Sequence, residues 1–112
     1  MLVPVKPANS GNPAMIYAVL FEDNESHAAM RAKHMADHLA FLERNAVSVQ
    51  AAGPLKDMAD GAPAGGLWLV VADSAAAVHA LVKADPFWPT GLRKCYRVLE
   101  WTQVFAEGQR RI

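Results

Sequence analysis

The sequence predicts an α+β domain of the split βαβ type: one four-stranded antiparallel sheet with two helices on one face. Two observations lead there. The chain has 112 residues, the length of one domain. Its two segments of helical character alternate with short apolar runs in the order β-α-β-β-α-β.

Residues 1–13 are rich in Pro, Gly, Asn and Ser and read as a flexible lead-in. The domain is expected over 14–106 and a polar tail, EGQRRI, over 107–112. MIYAVLF (15–21) is a strand with apolar side chains in both phases. EDNES follows, with Asn24 and Ser26 as candidate helix caps. From His27 to about Arg44 the chain holds no Pro or Gly and favours good helix formers. Ala28, Ala32, Met35, Leu39, Leu42 and Ala46 repeat at the helical period and predict the core stripe. His27, Arg31, His34, His38 and Phe41 form a second stripe beside it.

VSVQAAGPL (47–55) reads as a strand ending at Gly53-Pro54. KDMADGAPAGG is a turn-rich connection, and LWLVVA (67–72) is the third strand. Asp73 or Ser74 can cap a second helix, SAAAVHALVKA, with Ala75, Val78, Leu81 and Val82 on its apolar side. Pro86 disfavours helical geometry at Asp85, so the helix ends there. The last strand runs from Lys94 to about Phe105.

Leu67, Leu69 and Val71 alternate with Trp68, Val70 and Ala72, and MIYAVLF is likewise apolar on both faces. Two helices cover only one face of a sheet, and a large apolar patch seldom stays wet. The sequence therefore predicts a homodimer with a second copy against the other face.

Eleven basic residues balance eleven acidic ones, and nothing gathers nucleic acid. The opening residues make a poor secretory signal, and no apolar run has the length of a membrane span. A single cysteine, Cys95, provides no intrachain disulfide. These features predict a cytoplasmic protein that handles small molecules, without nucleic acid or membrane partners.

RAKHMADHL, AAGPL, GLWLVVADS, KADPFWPTGL and the closing VLEW, in this order, resemble the YciI-like (YCII-related) family over roughly residues 15–105. The chain departs from the commoner family pattern by lacking a proline after Arg31 and by carrying Trp88-Pro89. The resemblance implies a ferredoxin-like subunit, a dimeric α/β barrel, and a cleft holding a histidine and an aspartate. His34, the last residue of RAKH, matches the histidine, Arg31 the arginine of that motif, and Asp85 the aspartate of the Asp-Pro-aromatic motif. Gly53 and Pro54 match the Gly-Pro after the second strand. One branch of the family is associated with dechlorination of a chlorinated hydroxyhydroquinone.

Histidine takes and returns a proton at cellular pH. A carboxylate bonded to one ring nitrogen fixes the tautomer and makes the other nitrogen a better base. His34 with Asp85 is therefore the candidate catalytic pair. The bland alternatives are a half-buried histidine bonded to a backbone carbonyl, and an Asp that accepts from an amide two residues on and starts a turn. Arg31 can hold an anionic group with its donor fork, or simply be solvated. His38 joins it among the candidate substrate-binding residues, with Gly53, Pro54, Phe87 and Trp88. Phe87 and Trp88 could line an apolar cleft, as could Trp68, or belong to the core. Histidines at i and i+4 can share a metal, but no further ligands are spaced nearby, so no metal and no cofactor are expected.

The leading expectation is a small-molecule enzyme in which a His–Asp pair moves a proton, as an isomerase or a lyase eliminating HX, on a cyclic or aromatic-derived substrate. The alternative is a non-catalytic binding or regulatory module using the same cleft.

Overall fold

The computed structural model describes residues 15–112; the lead-in assigned to 1–13 lies outside the described residues. The elements run β1 (Met15–Asp23), a 3-10 turn (Glu25–His27), α1 (Ala29–Arg44), β2 (Val49–Lys56), β3 (Pro63–Ala72), α2 (Ala75–Ala84), a second 3-10 turn (Trp88–Thr90) and β4 (Arg93–Glu100). The sheet order is β2-β3-β1-β4, and every neighbouring pair is antiparallel. This is the split βαβ, ferredoxin-like topology that the element order predicts.

The barrel is not formed. β2 and β4 are the outer strands of an open sheet, and no pairing joins them. A barrel must close every edge, and even small barrels need about eight strands. The described chain supplies four to this sheet.

Tyr17, Val19 and Phe21 of β1 alternate with less buried neighbours, as do Trp68 and Val70 of β3. They meet Phe41 of α1 and Val78 and Val82 of α2 in one core. The opposite face carries Ile16, Leu20, Leu67, Leu69 and Val71, all half-buried, and Leu99, which is exposed.

Local chemistry sets several boundaries. Ser74 caps α2, its hydroxyl accepting from the Ala77 amide at 3.2 Å. Asp85 is extended (φ −65°, ψ 132°), as Pro86 requires. Asn24 caps no helix with its side chain. It ties the end of β1 to the turn before β4 instead, donating from Nδ2 to the Gly91 carbonyl at 2.8 Å.

Three expectations are corrected. β3 begins four residues before Leu67, at Pro63. Gly65 explains how the chain gets through there: its φ is +81° and a Cβ would lie 1.8 Å from the Phe21 carbonyl oxygen. The last strand ends at Glu100, and Phe105–Ala106 and Gln109–Arg110 pair as a separate small hairpin, β5 and β6. Glu107 and Gly108 both take positive φ at its turn, as a tight two-residue hairpin demands.

The third correction concerns α1. Its buried residues are His38 and Phe41, members of the histidine-bearing stripe, whereas Leu39 is 50% exposed. Periodicity reveals that a helix is two-faced; which face docks depends on the partner surface. Here the sheet presents Trp68, whose ring lies 6.2 Å from Phe41 and 6.4 Å from His38, centroid to centroid. Met35, Leu39 and Leu42 line a cleft, and of these Leu42 also packs against the core.

Candidate functional site

The cleft lies between α1 and the β2–β3 end of the sheet, with a volume of about 140 Å³. Met35, Leu39 and Leu42 line one side and Ala52, Gly53, Pro54 and Gly66 another. Trp68, Phe87, His38 and a cluster of Asp23, Arg31 and Arg93 complete it.

Asp85 sits just behind the cleft, 2% exposed. Its Oδ1 accepts from His38 Nδ1 at 2.8 Å, and both side chains are buried. The pairing expected of His34 thus falls to His38, one turn further along α1. His34 is half-buried and does not line the cleft. The same Asp85 oxygen accepts from the Phe87 amide at 3.1 Å. The turn and the histidine partner, read from sequence as alternatives, are one carboxylate in both roles.

That arrangement has chemical consequences. With a carboxylate as acceptor, Nδ1 of His38 carries a proton, and in the neutral ring Nε2 is left with its lone pair free. The Phe87 ring stacks on the imidazole, with centroids 4.0 Å apart and planes 13° from parallel. Asp85 and Phe87 therefore hold the ring in position and in tautomer.

Asp23 organises the rest. It is a buried carboxylate (2% side-chain exposure) between two arginines, accepting from Arg31 Nη2 at 2.7 Å and from Arg93 Nη1 at 3.0 Å. The Arg93 guanidinium carbon lies 4.0 Å from the Phe21 ring centre and 5.3 Å from that of Phe87. A break in the β1–β4 register puts Arg93 there. Cys95 pairs with Glu22 but Arg93 with Asp23, so Lys94 is an extra residue in β4. This bulge turns Arg93 toward the helices, where strict alternation would place Lys94. Gly66 leaves the space: a Cβ there would be 3.4 Å from Arg93 Nη1 and 3.3 Å from the Gly53 carbonyl oxygen.

Of the residues singled out from sequence, Arg31, His38, Gly53, Pro54 and Phe87 line the cleft. Trp88 does not. It packs against the core, edge-on to Tyr96 at 5.6 Å. Sequence reasoning missed Asp23 and Arg93. Asp23 was hidden in a run that reads as loop and caps, and Arg93 at a strand start beside Lys94 looks like a solvated cation. Among the described residues, no group of three or more His, Cys, Asp or Glu side chains is placed to hold a metal ion. No helix among them is long and apolar enough to cross a membrane.

The open ferredoxin-like sheet and the cleft at its β2–β3 end define a class, and comparison with known proteins gives it a family. Residues 15–102 match the YCII-related domain, and the chain belongs to that family. Among solved structures it is similar to 5-chloro-2-hydroxyhydroquinone dehydrochlorinase (TftG) from Burkholderia phenoliruptrix AC1100, in complex with 2,5-dihydroxybenzoquinone. The two share 28% identity over 79% of this chain and 94% of that one, with a TM-score of 0.67. No curated protein sequence gives a significant match.

Proposed function

We propose that this protein is a small-molecule enzyme in which His38 moves a proton, held by Asp85, during isomerisation of a cyclic, aromatic-derived substrate or elimination of HX from it. The observation that carries the reading is the buried His38–Asp85 hydrogen bond at the back of the cleft. In an elimination the free Nε2 takes the substrate proton, the electron pair left behind forms the new double bond, and the halide departs with its own pair. Asp85 stabilises the imidazolium that results.

The size of the cleft supports a single ring. A cavity of roughly 150 Å³ accommodates benzene, and this one is about 140 Å³. The similar solved structure is a dehydrochlorinase holding a dihydroxybenzoquinone. The direct test is chloride release from 5-chloro-2-hydroxyhydroquinone. The proposal expects release by the wild type and its loss in His38→Gln. Binding of the compound without release above the buffer rate would favour the non-catalytic binding module.

The working unit we propose is a homodimer in the cytoplasm. Leu20 lies beside Leu67, Ala18 beside Leu69 and Leu99, and Ile16 beside Val71, making one apolar surface away from the helices. A second copy covers such a surface. The single cysteine, Cys95, is free and exposed, which suits a reducing compartment. Sedimentation of a monomer at micromolar concentration would reject the dimer.

A further inference from the structure

We infer that Arg93 is the receptor for a negatively charged oxygen of the ligand, and that the cleft takes a planar single-ring compound carrying a carboxylate or another ring-borne oxyanion. The inference rests on the proposed reading of the cleft as a small-molecule site, but not on the chemistry of His38.

Three observations carry it. First, two guanidinium groups share one carboxylate, so the Asp23 cluster holds one positive charge in excess. Asp85 carries a further negative charge, but its Oδ1 is turned to His38 and the Phe87 amide, so the surplus positive charge lies on the arginine side of the site. Second, Arg93 is not fully used. Its side chain is 8% exposed, Nη1 donates to Asp23, and Nε is buried without a partner. A buried donor left unpaired is costly, and native structures rarely keep one without a reason. Arg93 lines the cleft, so an acceptor entering it meets this guanidinium. Third, the cation is rigid. The Asp23 carboxylate and the Phe21 and Phe87 rings hold the guanidinium, so little side-chain freedom is lost on binding. Phe87 also touches His38, so an oxyanion on Arg93 sets the ring of the ligand in the same cleft as the imidazole.

Arginine fits this task better than lysine, because its planar fork matches an oxyanion with two parallel donors. Gly66 and the extra residue Lys94 are the sequence features that make the position possible.

Benzoate and its neutral counterpart benzamide are the probes. In wild-type protein, benzoate should shift the Arg93 Nε–H resonance in a ¹H–¹⁵N spectrum, and benzamide at the same concentration should not. By calorimetry, Arg93→Lys should weaken benzoate by about 10- to 100-fold, the range for hydrogen bonds to charged groups. Lys83→Gln, at an exposed cation on α2 that does not line the cleft, should bind benzoate as the wild type does. An unmoved Nε–H resonance on benzoate addition, or unchanged affinity in a folded Arg93→Lys, overturns the inference. The resonance is read on the wild type, so it decides the matter even if the variant does not fold. The two readings fail separately. Chloride release that depends on His38, without benzoate engaging Arg93, removes only this inference. Benzoate engaging Arg93 in a protein that releases no chloride removes only the proposed elimination.

Discussion

One oxygen of Asp85 accepts from both the His38 ring, at 2.8 Å, and the Phe87 amide, at 3.1 Å. The turn that ends α2 and the orientation of the imidazole are therefore set by the same atom. Asp85→Asn separates the two roles. An amide oxygen still accepts from Phe87, so the melting temperature should change little. The negative charge that supports an imidazolium is gone, so turnover should fall by about 10²- to 10⁴-fold, as when such a carboxylate is neutralised elsewhere. Chloride-release kinetics beside a thermal melt check both halves.

Asp85→Ala should be worse for the fold. It removes the turn acceptor and leaves the His38 Nδ1–H buried without a partner. A buried donor left unsatisfied costs about 1–3 kcal/mol. Urea titration should show Asp85→Ala destabilised by at least that much, and clearly more than Asp85→Asn.

How much of this was legible in the sequence depends on how local the cause is. The cap at Ser74 and the helix exit at Asp85-Pro86 follow from neighbours within four residues, and both were readable. The identity of the paired histidine was not. His34 and His38 share a stripe and differ by about 6 Å along the helix axis, at about 1.5 Å per residue. Which one reaches Asp85 depends on how far α1 slides along the sheet, a tertiary quantity set by contacts such as Phe41 on Trp68. Arg93 meets Asp23 across 70 positions, through a bulge at Lys94 that no residue pattern announces.

The Asp23 cluster should be the most sensitive polar site in the fold. Asp23→Ala leaves the buried Arg93 and the half-buried Arg31 facing each other without their carboxylate. Breaking a buried ion pair from one side costs about 3–5 kcal/mol. Arg31 is 30% exposed and water relieves part of the loss, so the lower end is expected. Equilibrium unfolding in urea measures it. A loss under about 1 kcal/mol, the scale of a surface pair, would show that solvent reaches the cluster.

The glycines of the cleft should divide sharply. Gly65→Ala puts a methyl group 1.8 Å from the Phe21 carbonyl oxygen at φ +81°, against backbone that cannot swing aside. Loss of soluble folded protein is the expected result. Gly53 has nothing within 4 Å of its would-be Cβ. Gly53→Ala should fold with a stability change within about 0.5 kcal/mol, as at an ordinary surface position. Its effect on KM then reports whether this edge of the cleft touches the ligand.

Cys95 provides a reactivity prediction with a clear sign. Its thiol donates to Glu22 Oε2 at 3.1 Å. That hydrogen bond, then local desolvation and the carboxylate's charge, push the thiol pKa up, against a small opposing effect of Lys94. A raised pKa means less thiolate at a given pH, and thiolate is the reactive form. Alkylation by iodoacetamide at pH 8 should therefore be slower than for a free cysteine, despite the exposure of the side chain. Glu22→Gln removes the carboxylate and its charge, so the rate should rise toward that of a free thiol. An equal or slower rate in Glu22→Gln would mean that the contact does not govern the thiol. The exposed face of β4 would then have to shield Cys95 in some other way, and cover by a second copy of the chain is the first to test, by repeating the alkylation across a range of protein concentrations.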